Sequence, residues 1–246
     1  LNLELERLAQ DGTEYKFGAV LTDIAQVPES MREKCLPKGE RQNIGSEKSS
    51  CASMAPINSL EIKFNYLFEM KLLSFGNLEW LHKNGYLKDH KIEFSDRYIA
   101  VLSGTTVEGN SLKAPLDAIR HNGLIPKSMF PQVESFEEYY DPSKITEEMK
   151  ALGQEFSKRF FINYEKVYQK EYDKILKDDI LIVGGYAWPE PVNGYYPAAE
   201  GRTPNHAFIV WLLKYFAFDN YEEAPNDYIK QLSPFYEFIE YGYKIC

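Results

Sequence analysis

The chain has 246 residues, 44% of them hydrophobic and 26% charged, with a formal net charge of −9. This length and balance fit one large globular domain or two lobes around a cleft. The acidic charge argues against a general binder of nucleic acid or anionic membrane, and no apolar run reaches the roughly 18 residues of a membrane span.

Residues 1–50 read as an extended arm with loops, punctuated by Gly12, Pro28, Pro37 and Gly39. A helix is predicted from Ser50–Ala52 onward, with Ile57, Leu60, Phe64, Leu67 and Phe68 at three- and four-residue steps. Ile62 lies off that stripe, so the apolar face is wider than a single seam. Pro56 falls in the first turns, where proline is best tolerated. A short helix is predicted over Ser95 to Leu102 with Ser95 as N-cap. A turn follows at Glu108-Gly109-Asn110-Ser111, then a helix over Leu112 to His121 stopped by Asn122-Gly123. Pro126 and Pro131 frame an irregular stretch. The Lys/Glu-rich segment Thr146 to Leu176 predicts a long helical region with a possible break. Ile180 to Val183 predicts a buried strand, Pro189 to Pro204 a loop, and Ala207 to Leu213 and Tyr215 to Phe218 two further strands. Helices first and strands later give an α+β layout.

The chemistry concentrates at Cys51. A small-residue polar loop, Gln42 to Ser50, delivers one cysteine to the start of an apolar helix. A helix N-terminus carries partial positive charge and free N–H groups, which favour the nucleophilic thiolate. Far downstream are Asn205-His206-Ala207 and then Asp219-Asn220-Tyr221. Cysteine, distant histidine and a later carboxylate or amide form a cysteine-nucleophile constellation. His82, His90 and His121 sit in polar surroundings and are expected to be solvated. Of the other cysteines, Cys35 reads as a loop thiol and Cys246 as a terminal thiol without a role. Three cysteines make no disulfide scaffold, and no pair has zinc spacing. Leu1 to Glu6 does not read as a signal peptide, and a first residue other than Met is expected of a processed chain; compartment and oligomeric state are not legible.

From Lys38 to about Pro225 the chain resembles the papain-like cysteine peptidases, in a divergent form of the kind found in bacteria and their phages. Gln42 to Ala55 resembles the family's glutamine-containing loop ending in Ser-Cys. Glu108 to Leu116 with Gly123-Leu124 resembles its Asn-Gly-Gly turn, helix and exit, and Met129-Phe130-Pro131 its Thr-Tyr-Pro. Asn205-His206-Ala207 resembles its Asn-His-Ala, and Asp219-Asn220-Tyr221 its Asn-Ser-Trp. The resemblance implies one papain-like domain over 1–246: an N-terminal arm (1–37), a mainly helical half (38–140), and a strand-rich, barrel-like half (141–246) carrying the long helical insertion. It implies hydrolysis of peptide or isopeptide bonds with no cofactor and no metal. Cys51 would be nucleophile, His206 base and acid, Asp219 or its rival Asn220 the orienter of His206, and Gln42 or its rival Asn43 the oxyanion donor. Gly109, Asn110 and Asn205 would contact substrate, a peptide or protein. The chain departs from the pattern at Ala52, Asn110 and Asp219. The family's disulfide is missing from both its ends, at Lys48 and Val107. Trp188 either walls the cleft or belongs to the core. Two other readings stay open: a transglutaminase-like acyl-transfer enzyme, and a papain-fold binding protein without activity.

Overall fold

The computed structural model describes residues 31–38, 41–177, 179–198, 203–211, 216–221, 228–234 and 236–246. The predictions for residues 1–30 and for 212–215 lie outside them. Helix α1 (Arg32–Cys35) precedes the central helix α2 (Cys51–Glu69), followed by α3 (Phe75–Lys83), a two-stranded hairpin of β1 (Leu87–Lys88) and β2 (Lys91–Ile92), α4 (Asp96–Leu102) and α5 (Lys113–Asn122). Then come α6 (Phe136–Tyr139), α7 (Glu147–Arg159), β3 (Tyr164–Tyr168), α8 (Tyr172–Ile175), β4 (Leu181–Gly185), β5 (His206–Trp211), β6 (Phe216–Phe218), β7 (Ile229–Gln231) and β8 (Tyr241–Ile245). The class is α+β, with a six-stranded sheet of order β3-β8-β4-β5-β6-β7 in which every neighbouring pair is antiparallel.

Helix α2 is enclosed on all sides. Every residue from Cys51 to Tyr66 is buried, so the broad apolar face expected from Ile62 extends right round the first four turns. Its long buried polar side chains are paired, as burial demands, whereas the Ser59 hydroxyl has no partner among the described residues. Glu61 Oε1 accepts from Phe94 N at 2.7 Å and Asn65 Oδ1 from Ile92 N at 2.7 Å, which seats β2 and the approach to α4. Lys63 pairs with Asp179 at 2.6 Å and donates to the Ile245 carbonyl at 2.5 Å, joining the helix to the sheet's far side. Asn58 Nδ2 donates to Asn220 Oδ1 at 2.5 Å. The sheet is buried on both faces, and period-2 alternation divides its side chains. Ile182, Ala207, Ile209 and Phe218 face the helices; Leu181, Val183, Phe208, Val210 and Ala217 build a second core behind the sheet.

Local signals placed several elements correctly. The Ser95 hydroxyl caps α4 by accepting from Tyr98 N. Gly123 ends α5 at φ 69°, a left-handed conformation that only glycine adopts without strain. It also lies against α7: a Cβ at Gly123 would sit 1.8 Å from the Gly153 carbonyl oxygen.

Three expectations are corrected. The helical region predicted over 146–176 stops at Arg159, and Tyr164–Tyr168 is strand β3, fully paired with β8. The charge-rich composition suggested a helix, but pairing with a C-terminal strand decides the conformation. Helix α7 packs on the helical half, where the Trp80 indole donates to Glu155 at 2.8 Å, so it is not an insertion in the sheet half. Cys35 is no loop thiol: it closes α1 and is fully buried, and burial pushes its thiol up to about 11. No helix among the described residues is long and apolar enough to cross a membrane.

Candidate active site

Cys51 is the first residue of α2, and Ser50 before it makes no side-chain cap. The first-turn N–H groups therefore keep their positive end for whatever lies at the Cys51 sulfur. His206 opens β5, whose apolar run Ala207 to Trp211 is buried across the sheet. The two meet where the helix head abuts the strand start: the Cys51 thiol and the His206 ring share a hydrogen bond. Nε2 of His206 contacts Asp219 Oδ1 at 2.5 Å, which leaves Nδ1 for the sulfur.

Asp219 follows β6 and is 1% exposed. Its carboxylate also accepts from Asn220 N at 2.7 Å and from the Trp188 indole N–H at 2.5 Å. Lys230 Nζ, fully buried on β7, lies 4.0 Å from Asp219 Oδ2 and donates to the Tyr221 carbonyl at 2.7 Å. Asn220 points the other way, to Asn58 of α2, and its carbonyl accepts from Gln42 N at 3.2 Å. Of the two residues expected to compete for His206, Asp219 makes the contact.

Electrostatics follow from this geometry. Burial opposes the imidazolium of His206, but the Asp219 carboxylate and then Cys51 outweigh it, raising His206 to about 9. Burial likewise opposes the Cys51 thiolate, yet the positive charge of His206 and its hydrogen bond to the sulfur favour it and act to lower the thiol. Burial would raise Asp219 too, but His206, Lys230 and the Trp188 N–H hold it below the usual carboxylate range. Both directions favour a thiolate–imidazolium pair.

The pair opens on a cleft of about 120 Å³ lined by Gln42, Glu47, Ser49, Cys51, Glu108, Gly109, Asn205, His206 and Tyr221. Gln42 is beside Cys51, but its Nε2 donates to Glu47 Oε1 at 2.7 Å. Its rival Asn43 is exposed. Gly109 and Asn205 line the cleft. Asn110 does not: its side chain turns inward, donating to Ser103 and Thr105 and accepting from Ser111 N. Where the disulfide is missing, Lys48 donates to the Ile44, Ser46 and Glu134 carbonyls, and the Ser49 hydroxyl donates to Val107 O at 2.8 Å. Hydrogen bonds thus join the two loops. His82, His90 and His121 are exposed, as expected. Cys246 is buried.

Three residues at the site make contacts that the sequence does not disclose. Lys230 sits in an ordinary-looking Ile-Lys-Gln strand, and Glu47 in a polar loop, so neither gives a local signal. Trp188 was noticed as a possible wall of the cleft, but its bond to Asp219 depends on a strand 31 residues away.

No family model and no curated protein sequence matches this chain. Solved structures do match it in shape. Xylellain, a cysteine protease from Xylella fastidiosa, superposes with a TM-score of 0.56 at 12% identity, covering 94% of each chain. The bromelain protease from Ananas comosus in complex with the E64 inhibitor gives 0.54 at 11% identity, over 87% of this chain and 94% of that one. A structure from work on the mite allergens Blo t 1 and Der p 1 gives 0.56 at 11% identity, over 100% of this chain and 77% of that one. The helical half packed on an antiparallel sheet thus has the fold of the papain-like cysteine proteases.

Proposed function

We propose that this chain is a papain-like cysteine peptidase that hydrolyses peptide or isopeptide bonds through a Cys51 acyl-thioester. The observation that carries the reading is the buried chain of contacts from Cys51 through His206 to Asp219, opening on a cleft at the uncapped end of α2. The Cys51 thiolate attacks the scissile carbonyl, and the negative charge moves to its oxygen. In this reading the Cys51 backbone N–H and the Gln42 amide receive that oxyanion. The imidazolium of His206 passes its Nδ1 proton to the leaving amine, the C–N bond breaks and the thioester remains. Neutral His206 then takes a proton from water as it attacks the thioester, the C–S bond breaks, the acid is released and the Cys51 thiolate beside the His206 imidazolium is restored. Asp219 holds the ring through Nε2 and favours its charged form throughout.

One observation supports a second reading, a papain-fold protein without turnover: the Gln42 amide is engaged by Glu47 rather than left open to the cleft. Iodoacetamide at mildly acidic pH, where an ordinary thiol is protonated, separates the two. Cys51 should be alkylated well before Cys35 or Cys246, whose thiols burial raises. Digestion of a degenerate peptide library should then depend on Cys51 and His206. Slow labelling of all three thiols with no cleavage overturns the peptidase reading. An added amine captures the thioester if the enzyme is an acyl-transferase, and products then carry the amine in place of a free carboxylate.

A further inference from the structure

Glu47 stands four residues before the proposed nucleophile, and both of its carboxylate oxygens are fixed. Oε1 accepts from the Gln42 amide at 2.7 Å and from Ser49 N at 2.7 Å; Oε2 accepts from the Tyr221 hydroxyl at 2.6 Å. The loop that carries it is itself constrained: Ser49 has a positive φ of 53°, and its hydroxyl is bonded to Val107 O. Tyr221 in turn packs on the His206 ring, with centroids 4.9 Å apart. The carboxylate is therefore aimed into the cleft that holds Cys51 and His206, and Glu108 adds a second acidic side chain to the same lining.

A fixed negative charge next to an oxyanion donor opposes the reaction in two ways. It occupies the Gln42 N–H₂, and it repels the oxyanion that must form nearby. Both effects vanish when a cation takes the carboxylate. Gln42 is only 1% exposed, and among the described residues its Oε1 has no hydrogen-bond partner, so its amide head is held at the cleft by Glu47 alone. A substrate cation that engages Glu47 would release that amide toward the oxyanion.

Resting on the peptidase reading, we infer that Glu47 is a specificity-determining residue that selects substrates with a cationic side chain, lysine or arginine, next to the scissile bond. The cation both binds the cleft and frees the oxyanion donor, so the preference should appear in kcat as well as in KM.

The test is cleavage of a degenerate peptide library by the wild type, Glu47→Gln and Glu47→Lys, with products sequenced by mass spectrometry and Cys51 alkylation measured in parallel. Wild type should enrich Lys or Arg at one position flanking the cut by about fivefold, the scale of a partly solvated ion pair. Glu47→Gln, which keeps size and an accepting oxygen, should lose the enrichment, and Glu47→Lys should shift it toward Asp and Glu. Cleavage without a basic preference, or the same preference in Glu47→Gln, overturns the inference and leaves the peptidase reading standing. No cleavage together with an unreactive Cys51 overturns both. No cleavage with a reactive Cys51 overturns the inference, since a library containing every basic sequence must then include a substrate.

Discussion

Replacing Asp219 with asparagine should uncouple the charge on His206 from its position. His206 is raised from the usual 6.5 to about 9, with the Asp219 carboxylate as the largest raising influence. That displacement corresponds to about 3 kcal/mol in favour of the imidazolium. The sign follows from the charged form being the stabilised one: the contribution is complete below about 6.5 and disappears as pH rises through about 9. An amide oxygen can still accept from Nε2, but the ionic attraction goes. His206 in Asp219→Asn should titrate at least about one pH unit lower, equivalent to about 1.4 kcal/mol. The amide NH₂ would face either the Trp188 N–H or the His206 Nε2–H, so one buried hydrogen bond is lost and stability should fall by about 1–3 kcal/mol. Ring NMR of the four histidines can follow the titration directly, with His206→Gln assigning the resonance. The alkaline limb of the pH–rate profile should move down with it, while the acid limb, set mainly by the lowered Cys51 thiol, moves less. A wild-type His206 titrating near 6.5, or at the same pH in the variant, would refute this account of the site.

Lys230→Met should depress turnover and raise Asp219, because a fully buried cation 4.0 Å away no longer supports that carboxylate. Lys230→Arg should restore part of both, which a loss of packing alone would not show. Gly123→Ala should cost about 2–4 kcal/mol in urea denaturation, since the new Cβ meets the Gly153 carbonyl at 1.8 Å from a backbone at φ 69°. Gly76→Ala, in α3 with no atom within 4 Å of the new Cβ, should instead stabilise by about 0.5–1 kcal/mol.

Elements that carry their own local instructions were legible in the sequence. Ser95 caps α4 through its own hydroxyl, Gly123 ends α5 through its own φ, and the apolar runs of β4 and β5 announce buried strands. Cys51 at a helix start, His206 at a strand start and Asp219 beyond the next strand were readable in chain order for the same reason. What required tertiary structure depends on partners distant in sequence. Strand β3 looks helical until β8, more than 70 residues later, supplies its hydrogen bonds. The choice of Asp219 over Asn220 follows from the pleat: Ala217 faces the second core and Phe218 the helices. Continuing that alternation sends Asp219 toward Trp188 and Asn220 toward Asn58. Lys230 and Glu47 carry no local mark, because a charge acquires its meaning from what it is buried beside. The sequence by itself determined which residues could form a nucleophile and its base; the antiparallel register and the packing of α2 against β5 decided which neighbours set their charge.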